Sequence, residues 1–173
     1  MIIVLLGYMG SGKSSIGRIL AKKLNYKLID LDDYIEEKEN ASVKDIFKTK
    51  GEIYFRKKET EYLKALLKLK ENTILALGGG TPCFAGNMEV ILEEDNAVSI
   101  YLKGSLPFLS EKLFQKKAKR PLIAHIETEE LMTEFIGKHL FERSQFYNKA
   151  EITVLTDNKE KAEVVEDIIL QLF

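Results

Sequence analysis

Residues 7–14 read Gly7-Tyr8-Met9-Gly10-Ser11-Gly12-Lys13-Ser14 and fit the spacing G-x-x-x-x-G-K-[ST]. The glycines allow backbone N–H groups to turn inward around phosphate oxygens, an approach that side chains would block. Lys13 is placed to reach the β- and γ-phosphates of a nucleoside triphosphate, and the Ser14 hydroxyl is a hard ligand for Mg²⁺. Three acids follow at Asp30, Asp32 and Asp33. One such carboxylate can hold the hydrated Mg²⁺, and another can accept a proton from a substrate hydroxyl. Asp33 reads instead as an acid that favours a helix N-terminus.

Gly78-Gly79-Gly80 is a second unusual string. A turn needs one or two glycines, so a third suggests that backbone amides approach a ligand closely. Arg56 and Arg143 carry planar forks suited to a carboxylate, which Lys cannot copy, but spacing alone leaves a solvated surface role equally open. Arg120, next to Pro121, sits in a basic segment with weak periodicity, and an Arg brought over a transferring phosphoryl group would stabilise its charge. His125 and His139 have no partner at metal or triad spacing, and Cys83 has no nearby His to activate it.

The elements that must position these residues alternate along the chain. Apolar runs at Ile2–Leu6, Lys27–Asp30, Thr73–Leu77, Ala97–Leu102 and Glu151–Leu155 read as strands. Between them lie helix-periodic stretches. One carries Ile16, Ile19, Leu20 and Leu24. Another opens at Ser42, with Asp45 three residues on, and runs through Phe47. Glu52–Lys70 carries Phe55, Glu59, Tyr62, Leu63, Leu66 and Leu67 on one stripe. Asn87–Glu94 is a short helix, one more begins at Ser105, and Glu129–Tyr147 shows Leu131, Phe135, Ile136 and Leu140 on one face. The last helix carries Val164, Val165 and Ile168. Strands apolar throughout and separated by helices call for a parallel sheet covered on both faces. The expectation is a single α/β domain over 1–173: a three-layer sandwich with a five-stranded parallel sheet, a P-loop, a mobile lid at about 116–127 and a substrate-binding helical segment at about 31–63.

Composition narrows the function. The chain has 173 residues, 45% apolar and 31% charged, with a net charge of −1. That mixture excludes disorder, and it offers no basic field for nucleic acid. One cysteine excludes an internal disulfide framework, and no apolar run approaches the ~20 residues of a membrane helix. The chain is expected to be cytoplasmic, without a membrane or nucleic-acid partner, and monomeric, since no zipper heptads appear.

Taken in order, these pieces resemble shikimate kinase. The matched segments are residues 7–14, Asp30-Leu31-Asp32, Gly51-Glu52 with Phe55-Arg56, Gly78-Gly79-Gly80, Arg120-Pro121-Leu122, and Arg143 with Tyr147. The resemblance implies ATP-dependent phosphorylation of the 3-hydroxyl of shikimate, with ATP and Mg²⁺ required and shikimate as small-molecule partner. It implies that Gly10, Ser11, Gly12, Lys13, Ser14 and Ser15 hold the nucleotide together with Arg120. Ser14 would bind Mg²⁺ directly and Asp30 through water. Asp32 would hydrogen-bond the acceptor hydroxyls and serve as base. Arg56 and Arg143 would clamp the carboxylate with Gly78, Gly79 and Gly80. It also implies the second strand at a sheet edge and the first in the centre. Where the family often carries a further Arg ahead of the lid, near adenine, this sequence has Lys112, Lys116 and Lys117. Rival readings are a P-loop kinase of another small acid such as gluconate, and a nucleotide-binding switch. The switch is disfavoured because D-x-x-G is absent and neither Asn148-Lys149-Ala150-Glu151 nor Asn158-Lys159-Glu160-Lys161 ends in Asp.

Overall fold

The computed structural model describes every residue from Met1 to Phe173. Five strands, β1 (Ile2–Leu6), β2 (Lys27–Asp30), β3 (Thr73–Ala76), β4 (Ala97–Lys103) and β5 (Ile152–Leu155), form one sheet in the order β2-β3-β1-β4-β5. Every pairing is parallel, with Ile3 opposite Ile74 on one side and Val98 on the other. β1 is therefore central and β2 lies at an edge, as the family resemblance implies. All five residues of β1 are buried. Because side chains alternate across a strand, Ile2, Val4 and Leu6 enter one core while Ile3 and Leu5 enter the other.

The second core is covered by α1 (Lys13–Leu24) and α7 (Lys161–Leu172), through Ile16, Leu20, Val164, Val165 and Ile168. On the opposite face lie α2 (Leu31–Glu39), α3 (Val43–Leu67), α4 (Asn87–Leu92), α5 (Leu106–Gln115) and α6 (Glu129–Tyr147). Their contribution includes Leu31, Leu63, Met88, Leu109 and Ile136. Helix starts follow the sequence signals. Ser42, Ser105 and Thr128 each accept a hydrogen bond from the backbone N–H three residues on.

The two helices expected around Ser42–Phe47 and Glu52–Lys70 are both present within α3, divided at Gly51, whose φ of 87° and ψ of 170° are non-helical and open only to glycine. No atom lies within 4 Å of where its Cβ would be, so backbone conformation and not space requires the glycine. Leu131, expected in the core, is 52% exposed, because the buried stripe of α6 runs through Met132, Ile136 and Tyr147. The basic 116–127 segment has a short 3-10 turn at Lys117–Lys119. Ile123 and Ile126 within it are buried, and the Lys117 ammonium donates to the Ile126 carbonyl.

Candidate active site

The phosphate loop joins β1 to α1 at the C-terminal edge of the sheet, where open α/β folds bind ligands. Gly12, in the left-handed region, precedes α1, which has no side-chain cap and no acid in its first turn. Its first N–H groups are thus left for an anion. Lys13 Nζ folds back to donate to the carbonyls of Gly7 (2.7 Å) and Tyr8 (3.0 Å). Desolvation brings its ammonium down to about 8, opposed by Asp32 and Asp30.

Asp30, at the end of β2, uses its two oxygens differently. One oxygen caps α2 by accepting from the N–H groups of Asp32 (3.0 Å) and Asp33 (3.3 Å), and the other accepts from the Ser14 hydroxyl at 3.1 Å. Asp33 itself is exposed and only occupies the first turn of α2. Asp32 turns inward. Desolvation, then Asp30 and Glu59, push its carboxyl up to about 6, against the pull of Lys13.

Each glycine of the triplet abuts a different charged side chain. A Cβ on Gly78 would lie 3.0 Å from Asp32 Oδ1, one on Gly79 3.1 Å from Arg143 Nη1, and one on Gly80 2.9 Å from Arg56 Nη2. Gly79 also faces the phosphate loop, with Met9 N 3.5 Å from its Cβ position. The strip therefore runs from the Asp32 carboxylate to the Arg143 and Arg56 guanidinium groups beside the phosphate loop.

Two adjoining cavities result. An inner one of about 430 Å³ is lined by Gly10, Gly12, Lys13, Ser14, Ser15, Asp30, Asp32, Gly78, Gly79 and Arg120. An outer one of about 920 Å³ is lined by Arg56 and Arg143 and walled by Phe47, Phe84, Leu122, Ile126 and Phe135. Ser11, expected among the phosphate contacts, lines neither cavity. Its side chain is buried under the loop beside Gly7, and its N–H donates to the Tyr8 carbonyl, so it shapes the loop.

Sequence reasoning missed several residues. Glu59, 1% exposed, accepts from Arg56 Nη1 at 2.8 Å and from the Thr81 hydroxyl at 2.7 Å. Its signal was a carboxylate in line with Phe55 and Leu63 on an apolar stripe. The Arg56 guanidinium also stacks 3.9 Å above the Phe84 ring. Tyr147 donates to the Gly79 carbonyl at 2.5 Å. Lys112, Lys116 and Lys161 line the inner cavity with Arg120, and none of the four is in an ion pair. Burial pushes the Cys83 thiol up to about 11.

Fold and site together define a phosphotransferase of the P-loop class, with room for a small acid beside the phosphates. The family model for shikimate kinase matches residues 9–173, and the chain belongs to that family. The shikimate kinase of Flavobacterium johnsoniae is 52% identical over 167 residues, covering 96% of each chain. Among solved structures, the shikimate kinase of Bacteroides thetaiotaomicron superposes with a TM-score of 0.88 at 32% identity, covering 99% of this chain and 98% of that one. That of Acinetobacter baumannii, in complex with shikimate, gives 0.83 at 30% identity, over 99% and 92%.

Proposed function

We infer that this chain transfers the γ-phosphoryl group of ATP to the 3-hydroxyl of shikimate, yielding ADP and shikimate 3-phosphate. The observation that carries this reading is the glycine strip, which sets one carboxylate and two guanidinium groups against consecutive backbone units beside the phosphate loop. An alicyclic acid with hydroxyls asks for that set: cations for its carboxylate and an acceptor for its hydroxyl proton.

On this reading the triphosphate settles on the loop amides of Gly10, Gly12, Lys13, Ser14 and Ser15, and Lys13 exchanges its two carbonyl partners for phosphate oxygens. Ser14 and Asp30 suit Mg²⁺, since a hydroxyl and a carboxylate oxygen 3.1 Å apart on the cavity floor are hard ligands, Asp30 acting through water. When bound, the ion neutralises charge on the β- and γ-phosphates. Arg56 and Arg143 grip the acceptor's carboxylate, with Glu59 and Phe84 fixing the plane of Arg56. Asp32 accepts the hydroxyl proton as the new O–P bond forms and the bond to the β–γ bridging oxygen breaks. Arg120 approaches the phosphates as the 116–127 lid closes. Positioning and electrostatics supply most of the rate.

The reading extends to a monomer acting in the cytoplasm, where ATP is at hand. Both cavities are built from one chain, and no helix is long and apolar enough to cross a membrane. The deciding experiment is a coupled assay of ADP release with shikimate, with gluconate and with no acceptor. Turnover confined to shikimate is expected. Turnover confined to gluconate would transfer the assignment to the rival sugar-acid kinase, and tight GTP binding without acceptor-dependent turnover would favour a switch.

A further inference from the structure

Tyr8 belongs to the phosphate loop yet does not line the nucleotide cavity, and its side chain is only 1% exposed. Its hydroxyl lies 2.8 Å from Nδ1 of His139 on α6, and the two rings meet edge-on with centroids 5.4 Å apart. His139, Arg143 and Tyr147 are spaced by four and share one face of α6. That face touches the donor loop through His139 and the acceptor loop through the Tyr147–Gly79 hydrogen bond, with Arg143 between them. The Arg143 guanidinium carbon is 5.9 Å from the Tyr8 ring centroid.

Tyr8 is also tied to the event of nucleotide binding. Its carbonyl accepts from Lys13 Nζ at 3.0 Å, and Lys13 must leave that carbonyl to reach a phosphate. A triphosphate in the loop thus changes the contacts at one end of Tyr8 while the other end holds α6. Burial keeps the Tyr8 hydroxyl protonated, and burial with Arg143 holds His139 below the usual imidazole range, so Nδ1 can accept.

We propose that the Tyr8–His139 hydrogen bond is a positioning contact that makes acceptor affinity depend on nucleotide occupancy, by linking the phosphate loop to the helix that carries Arg143. The proposal rests on the reading of Arg143 as a carboxylate clamp. Two sites coupled through one element must show a reciprocal change in affinity.

The test is calorimetric titration of shikimate into the full chain, with and without a hydrolysis-resistant ATP analogue and Mg²⁺. In the native chain the analogue should tighten shikimate by a factor of about five or more. Tyr8→Phe keeps the ring and removes the hydroxyl, and His139→Leu removes the acceptor. Both should bring that ratio close to one, whatever happens to the separate affinities. His139→Asn, whose amide oxygen can take the place of Nδ1, should retain it. A ratio unchanged in both Tyr8→Phe and His139→Leu, or a native ratio of one, overturns the proposal. A native chain that binds no shikimate in either condition overturns the functional reading and this inference with it.

Discussion

Gly80 stands so close to Arg56 that a methyl group on it would lie 2.9 Å from Nη2 and 3.1 Å from Nη1. The backbone at Gly80 is ordinary right-handed helical, with φ −86° and ψ −18°, so alanine meets no conformational penalty there. Gly80→Ala therefore tests space alone. The guanidinium must shift off the Phe84 ring and away from Glu59. KM for shikimate should rise by about tenfold, equivalent to ~1.4 kcal/mol, with KM for ATP and the melting temperature little changed. Steady-state kinetics with each substrate varied in turn checks the split, and equal changes in both constants would refute it.

The rate should be bell-shaped in pH. On the proposed mechanism Asp32 must be ionised to accept the hydroxyl proton, and its carboxyl is raised to about 6, so activity should climb as pH rises through that value. Lys13 must stay charged, and its ammonium is lowered to about 8, so kcat/KM for ATP should fall above that value. Bound phosphates favour the charged amine, so the alkaline limb should move upward in kcat. Lys13→Ala should cut kcat by about a hundredfold or more while circular dichroism stays native.

Asp32 should also cost stability. A carboxyl raised in the folded state, relative to about 4 unfolded, means that the native chain binds more protons between those values. Stability therefore falls as pH rises from about 4 to about 6, and the full cost, on the order of 2 kcal/mol, persists above 6. Asp32→Asn should abolish turnover and raise the melting temperature at pH 7.5, with the gain shrinking toward pH 4.5. Thermal melts across that range provide the check, and a variant less stable at pH 7.5 would contradict the electrostatic account.

How much of this was legible in the sequence depends on whether the signal was local. The strands and the phosphate loop were readable because unbroken apolar runs and a glycine-spaced loop are local consequences of a doubly covered sheet. Arg56 and Arg143 were not separable from surface arginines by spacing, since what distinguishes them is contact with Gly80 and Gly79, which lie at least 24 positions away in the chain. The family resemblance, and not the periodicity, singled them out. Leu131 was misassigned because α6 has apolar side chains both on its core stripe and on the wall of the outer cavity. Tyr147 carried no local sign that its hydroxyl would hold the Gly79 carbonyl.

Glu59 should matter to acceptor binding without touching it. It is buried between the Arg56 guanidinium and the Thr81 hydroxyl. Glu59→Gln keeps an acceptor for one partner but removes the charge facing Arg56. Leaving a buried group poorly paired costs about 1–3 kcal/mol, so the melting temperature should drop. KM for shikimate should rise several-fold while KM for ATP holds. An unchanged KM for shikimate would show that Phe84 stacking alone orients Arg56.

Lys112, Lys116, Arg120 and Lys161 line the inner cavity together with Lys13 and repel one another until an anion arrives. Lys112 is drawn below the ordinary lysine range first by burial, then by Lys116, Lys161 and Arg120. No carboxylate pairs with any of the four. A polyphosphate in the inner cavity relieves this repulsion whether or not it carries a base. Inorganic tripolyphosphate alone should therefore raise the melting temperature, as ligands that bind only the folded state do. The shift should shrink as ionic strength rises from 0.05 to 0.5 M, since the Debye length falls from about 14 Å to about 4 Å over that range. Lys112→Ala should weaken both the tripolyphosphate shift and ATP affinity by a similar factor, because a compact ammonium contributes charge rather than base recognition. If the variant lost affinity for ATP but kept the full tripolyphosphate shift, Lys112 would be contacting the nucleoside and not its phosphates.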